Sequence, residues 1–224
     1  MAREYLKKVP LLPKSAFDPE LAFFDEFSSL TDWQISGNAG DYWGKRQPGM
    51  VYQGDYALWI STRKTNPAAN DYVEANKYFA MYLPQRVSLS FFVRTYHNQL
   101  YNRLRGEIDI PDAANIGSFE IGVEVGGGNQ KVYIKDNAGN YTEVGTIPEI
   151  LDARFYLIEV VANLITRKYI EVRIGPVVID VSTQGLYFNT GVDEGKNTIT
   201  LQVSTTAAQQ TSALFDSVLV RALP

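Results

Sequence analysis

The chain has no cysteine and one histidine, His97. The first absence removes disulfides, thiolate metal sites and thiol nucleophiles together. A lone histidine with no serine elbow excludes a recognisable catalytic triad, and it makes a poor metal site without a second His or Cys. At the end of an apolar alternation it reads as a surface rim residue. Positive charge is also scarce: 21 Lys and Arg face 25 Asp and Glu, for a net charge of −4. No basic stripe is available to displace phosphate counterions, so nucleic acid is not expected as a partner. No apolar run approaches the roughly 20 residues needed to cross a bilayer as a helix, so membrane insertion is not expected either. The segment Met1–Ala16 does not read as a secretory signal. Its apolar run from Val9 to Leu12 is broken by Pro10 and followed by Pro13, whereas a secretory core needs roughly 7–15 continuous apolar residues. Synthesis in the cytoplasm, export as part of a particle, and a leader outside this sequence all remain open, and the location is undefined.

What the chain does contain is short alternating segments cut by turn chemistry. Prolines at 10, 13 and 19 make residues 1–20 an extended arm, and residues 21–224 one domain. Leu21–Phe27 and Tyr56–Thr62 read as strands, Ser28–Trp33 as a turn or short helical segment, and the Gly-rich stretch Ile35–Gly54 as irregular. Tyr72–Met81 is ambiguous in period and is read as a strand from its context. Val87, Leu89, Phe91 and Val93 alternate with Ser88, Ser90, Phe92, Arg94 and Tyr96. Phe119–Val125, Ile170–Ile174 and Ile199–Val203 behave in the same way, and Phe155–Ala162 is apolar on both faces. Gly126–Asn129 and Asp136–Asn140 read as hairpin turns, His97–Arg105 as a polar loop, and Leu214–Arg221 as the last strand. About a dozen strands of this kind, with at most one short helix, predict an all-β, two-sheet antiparallel sandwich.

The order of several segments resembles the concanavalin A-like lectin/glucanase superfamily, including its laminin-G-like modules. The resemblance runs through Phe24-Asp25-x-Phe27 with Trp33, Tyr52-Gln53-Gly54-x-Tyr56-Ala57-Leu58, and Val87–Arg94. It continues through the meander Phe155–Val161, Tyr169–Ile174 and Gly175–Val181, and closes on Phe215-Asp216-Ser217-Val218-Leu219-Val220. It covers about residues 21–222, and it implies a jelly roll whose sheet or rim loops bind glycans in many members.

Arg105-Gly106-Glu107-Ile108-Asp109-Ile110-Pro111-Asp112 carries the sharpest chemical question. Glu107 and Asp109, two residues apart, share one face of a strand. The run is similar to the Glu-Ile-Asp-Ile-x-Glu of laminarinase- and lichenase-type retaining glucanases. By that resemblance Glu107 would be the nucleophile, Asp109 its helper, and Asp112 the acid/base, returned to the same face by a bulge at Pro111. Three departures oppose it: Asp112 is one methylene shorter than Glu, Pro111 cannot join a ladder, and no strand is evident just upstream. The expectation is therefore a non-catalytic chain in which this run is an exposed loop or strand end paired with Arg103 and Arg105. A calcium site from Glu107, Asp109 and Asp112 is the one cofactor alternative, although the spacing matches no standard calcium loop.

Saccharide binding needs aromatic faces beside planar polar groups. The candidates are Tyr42 and Trp43 in the Gly-rich loop, Phe92, Arg94 and Tyr96 on one strand, Tyr133 on another, and the loop residue Tyr101. Trp33 and Trp59 are expected in the core. Two functions follow: a non-catalytic lectin-like module, at home on a particle or cell surface, and a structural subunit of a virion or other assembly. In the second, residues 1–20 would clasp a neighbour, and Tyr-, Asn- and Gln-rich loops would supply the contacts.

Overall fold

A computed structural model describes residues 21–96, 101–112, 114–127, 130–148, 154–191 and 195–224. Within it the chain forms sixteen strands. They are β1 (Leu21–Asp25), β2 (Gln34–Gly37), β3 (Trp43–Pro48), β4 (Tyr56–Ser61), β5 (Tyr72–Phe79), β6 (Arg86–Tyr96), β7 (Asn102–Asp112) and β8 (Gly117–Gly126). There follow β9 (Lys131–Lys135), β10 (Tyr141–Thr146), β11 (Tyr156–Asn163), β12 (Lys168–Ile174), β13 (Val177–Asp180), β14 (Tyr187–Thr190), β15 (Asn197–Thr205) and β16 (Ser212–Leu223). The extended arm, His97 and the tip of the Gly126–Asn129 turn lie outside the described residues. No helix among the described residues is long and apolar enough to cross a membrane.

Two eight-stranded antiparallel sheets face each other. The first has the order β13-β12-β11-β6-β16-β4-β3, with β1 also on β16; the second has the order β10-β9-β8-β7-β15-β5-β2, with β14 on β8. Each sheet contains a run of consecutive strands, β11–β13 in the first and β7–β10 in the second, and a strand from the end of the chain bridges the early strands to the later ones. β15 fills the gap between β7 and β5, and β16 the gap between β6 and β4.

Alternation decides which side chains face inward. Val87, Leu89, Phe91 and Val93 of β6 meet Leu104, Ile108 and Ile110 of β7, Ile121, Val123 and Val125 of β8, and Ile199, Leu201 and Val203 of β15 in one core. Each such residue is worth roughly 1.5–3 kcal/mol on burial. β7 has a glycine on its core side, and there it is a packing requirement: a Cβ on Gly106 would lie 2.1 Å from Phe91 Cε1. The outward residues of β7 are Arg103, Arg105, Glu107, Asp109 and Pro111, which alternate with the buried positions without interruption. In β16 the alternation changes phase. A bulge between Asp216 and Leu219, with Ser217 at φ 49°, moves the core side from Ala213 and Phe215 to Val218 and Val220.

A second, smaller apolar cluster covers the outer face of the first sheet. Phe92 and Leu219 are buried there beneath Leu21, Phe24, Tyr52, Phe155 and Leu157. The Tyr52 ring stacks on Phe92 with centroids 3.6 Å apart. Asp216, fully buried, holds that loop down by accepting the backbone N–H groups of Tyr52 and Gln53.

Candidate functional site

Among the described residues the outer face of the second sheet has no apolar cluster over it, and cross-strand register sorts its side chains into polar rows. One row runs Tyr133–Glu124–Arg105–Gln202–Glu74–Ser36 through β9, β8, β7, β15, β5 and β2. The next runs Gly122–Glu107–Thr200–Asn76–Gln34, and a third runs Tyr187–Glu120–Asp109–Thr198–Tyr78. Directly opposed residues in antiparallel strands stand within side-chain reach, so each row is a chain of contacts. Gln202 Nε2 donates to Glu74 Oε2 at 3.1 Å, Ser36 Oγ to Glu74 Oε1 at 3.1 Å, and Thr200 Oγ1 to Asn76 Oδ1 at 2.6 Å.

Toward the β9 and β10 side lies a charged cluster. Lys135 Nζ is 2.8 Å from Glu107 Oε1 and also pairs with Glu120, so one ammonium bridges two carboxylates on adjacent strands. The Tyr141 hydroxyl donates to Glu107 Oε2 at 2.8 Å, and Asn189 Nδ2 to Glu120 Oε1 at 2.9 Å. Gly122 makes room for this: a Cβ there would lie 2.5 Å from the Tyr141 hydroxyl oxygen. Burial alone would push the Lys135 ammonium down, but the adjoining Glu107 and Glu120 carboxylates hold it above the ordinary lysine value. Burial, and then the Glu107 charge, push the Tyr141 phenol well above the ordinary tyrosine range. Glu107 is thus fully engaged by a cation and a phenol.

At the other end of β7 the face opens into a shallow cleft of about 440 Å³, bordered by Tyr72, Glu74, Arg103, Arg105, Glu124 and Gln202. Arg105 Nη2 approaches Glu124 Oε2 at 3.4 Å, and Arg103 Nε approaches Glu124 Oε1 at 3.6 Å. The Arg105 guanidinium lies 4.3 Å from the Tyr141 ring centroid, and that of Arg103 6.0 Å from Tyr133.

The structure redistributes the residues singled out in the sequence. Arg105–Asp112 is no loop: it is the body of β7, hydrogen-bonded on both sides, and the strand begins at Asn102 inside the segment read as a polar loop. Arg103 and Arg105 pair with Glu124 and not with the acids of their own strand. Glu107 and Asp109 do share the outer face, but Asp112 does not join them. The β7–β8 register runs unbroken through Ile110, Pro111 and Asp112, so the supposed bulge is absent. Asp112 therefore falls on the core-side parity, buried, with its carboxylate accepting from Ala114 N–H and the Asn115 amide in a turn. Pro111 takes the next outward place. It is tolerated because β15 pairs only as far as Asp109, leaving a strand edge beyond. The acids that do converge are Glu107, Asp109 and Glu120, with carboxylate oxygens within 4.8 Å of one another. As a cation-binding set this replaces the trio ending in Asp112, and the Lys135 ammonium already lies against two of its members.

The aromatic candidates do not meet on one sheet. Phe92 and Arg94 belong to the outer side of the first sheet, where Phe92 is covered by Tyr52; Tyr133 lies on the outer side of the second, across the core. The Tyr96 side chain lies outside the described residues. Trp43, at the edge of the first sheet, packs edge-on against Trp59 at 4.8 Å, with Lys45 over both rings. Trp59 is thus half-buried outside the core, whereas Trp33 is in it. Tyr42 packs against the core, and a Cβ on Gly37 would come within 2.9 Å of its ring. Tyr101 is exposed just before β7. The sequence missed Glu120, Tyr141, Gln202 and Glu74 as site residues. Strict alternation in β8 and β15 held the signal for two of them, and only register could bring the four together.

No family sequence model and no curated protein sequence matches the chain. Solved structures do. A cellulose induced protein, Cip1, aligns with a TM-score of 0.57 at 12% identity, over 90% of this chain and 97% of that one. A lectin from Bauhinia forficata in complex with GalNAc aligns with a TM-score of 0.54 at 13% identity, over 90% and 97%. A Bacteroides ovatus mixed-linkage glucan GH16 protein aligns with a TM-score of 0.54 at 11% identity, over 88% and 99%. Identities this low show the fold alone, a two-sheet antiparallel β-sandwich of the jelly-roll kind.

Proposed function

We propose that the outer face of the second sheet is a non-catalytic saccharide-binding surface. One observation carries the proposal. Polar rows cross the sheet, a cleft opens at Arg103 and Arg105, and tyrosines stand at both margins, Tyr133 and Tyr187 on one side and Tyr72 and Tyr78 on the other. Planar hydrogen-bonding groups flanked by aromatic rings suit the hydroxyls and C–H faces of pyranoses. A glycan-binding structure and a glucan-bound structure share the fold, which supports the reading without assigning it.

The same geometry argues against retaining glucanase chemistry. Such chemistry needs a nucleophile and an acid/base about 5–5.5 Å apart on one face. Glu107 is tied to Lys135 and Tyr141, and the place after Asp109 holds Pro111. Calorimetric titration against a panel of neutral and acidic oligosaccharides tests the binding proposal. Tyr72→Ala and Tyr133→Ala should each weaken the best ligand about three- to tenfold, the worth of one aromatic contact. Unchanged affinity in both variants, or no ligand in the panel, removes it. A particle- or cell-surface setting with residues 1–20 as a clasp is a second proposal, resting on the prolines at 10, 13 and 19. The full chain should then sediment as an assembly and residues 21–224 as a monomer, and two monomers would refute it.

A further inference from the structure

The two arginines of the cleft hold more hydrogen-bond donors than the protein uses. Arg103 and Arg105 are two residues apart on β7, so both guanidinium groups leave the same face. Both face Glu124, whose side chain is only 3% exposed. The separations of 3.4 and 3.6 Å exceed the 2.7–2.9 Å typical of a well-made charge-assisted bond. The Nε of each arginine is buried with no hydrogen-bond partner. The Tyr141 and Tyr133 rings lie beside the two guanidinium groups, contacts that use up no N–H. Glu74, the other acid of the cleft, already accepts from Ser36, Asn76 and Gln202, and it stands two strands away from Arg105 with Gln202 between. The arginine end therefore sets two guanidinium groups against Glu124 and Glu74, a balanced set of charges, with Nη donors that no short bond to either carboxylate holds. The opposite end of β7 is acidic, with Glu107, Asp109 and Glu120 facing the single ammonium of Lys135.

We infer that the cleft binds the carboxylate of an acidic saccharide, a uronic acid unit, through Arg103 and Arg105. The inference rests on the saccharide-binding reading of this face and narrows it to a ligand class. A planar carboxylate matches the guanidinium fork. A dianion such as a phosphate monoester would meet Glu124 and Glu74 as well. A sulfate ester bears the same single charge, but its tetrahedral shape fits a planar fork less well.

The test titrates the full chain with oligomers of galacturonate, glucuronate and mannuronate, their carboxyl-reduced counterparts, and a sulfated neutral oligosaccharide. At least one uronate series should bind, with its carboxyl-reduced form at least about tenfold weaker, as loss of a charged hydrogen bond requires. Arg103→Gln and Arg105→Gln should each cost about tenfold toward uronate and little toward the reduced form. Affinity for uronate should also fall as salt is raised from about 0.05 to 0.5 M. Arg105→Lys keeps the charge and the stem but not the fork. It should weaken uronate binding too, and thermal unfolding checks that each variant is folded. Equal binding of uronate and reduced oligomers, or preference for the sulfated sugar, overturns the inference and leaves the saccharide reading intact. Failure of every acidic and neutral oligomer to bind overturns both.

Discussion

Replacing Lys135 with Met should reveal how much the open face depends on its one bridging cation. Lys135, Glu107 and Glu120 have side chains only 12–13% exposed, so this is a partly desolvated trio and not a surface ion pair. Methionine keeps most of the stem and removes the charge. Two carboxylates then face each other across β7 and β8, each with one neutral donor left, Tyr141 on Glu107 and Asn189 on Glu120. Breaking a buried pair costs about 3–5 kcal/mol; the remaining donors and water entering the open face should reduce this to about 2–4 kcal/mol at pH 7. For a domain of this size that lowers Tm by about 4–16 °C. Urea denaturation measures the penalty, and Glu107→Gln combined with Lys135→Met should cost less than the sum of the two single changes. A penalty under about 1 kcal/mol would refute the reasoning, because the trio would then be solvated like any surface pair.

The remaining predictions draw on other parts of the molecule. Lys135 and Tyr141 are both held above their ordinary values in the fold, so their contributions are complete below about pH 10 and lost as pH rises through the raised folded values; Tm should fall from about pH 10 upward, and tyrosinate absorbance should show the buried phenols titrating only with unfolding. Asp216→Ala should cost about 1.5–3 kcal/mol in urea unfolding, since it strands the Tyr52 and Gln53 N–H groups, and should expose Phe92 to apolar dyes. Gly106→Ala should cost about 1–3 kcal/mol by driving a methyl into the Phe91 ring, while leaving the outer face chemically unchanged. The unmodified protein should release no reducing ends from β-glucans, and release abolished by Glu107→Gln would overturn the non-catalytic reading.

Much of the sandwich is legible because its central strands are amphipathic with a clean period of two. Phe119–Val125 and Ile199–Val203 could hardly be anything else. Legibility fails where a second constraint interrupts the alternation. β2 and β3 are edge strands of the two sheets, largely half-exposed or exposed, with Ile35 as their one aliphatic side chain, so their sequence carries little burial signal. β5 was ambiguous because Lys77 falls on the core-side parity. It is there to reach Asp25 Oδ2, 2.6 Å away, beside the Trp33 ring at the margin of the core. In β7 the alternation was present all along, but charged outward residues on both halves disguised a central strand as a loop. The site itself was legible in fragments. Glu107 and Asp109 could be placed on one face from spacing alone, whereas Lys135, Glu120 and Tyr141 come from three other strands and meet them only through register.

The parity of β7 also links the failed catalytic motif to the binding surface. A bulge would have brought Asp112 outward, and it would equally have shifted every outward position on one side of it relative to β8. Without the bulge, Arg103, Arg105, Glu107 and Asp109 stay in strict step with Gly126, Glu124, Gly122 and Glu120. That step sets Arg105 across from Glu124 and lets Gly122 admit the Tyr141 phenol to Glu107. The regular register that buries the would-be acid in a turn thus builds a flat face with its acids gathered at one end and its arginines under-used at the other. Catalysis would need an acid free to give up a proton; recognition needs donors held still and left unspent. On this face the unspent donors belong to Arg103 and Arg105.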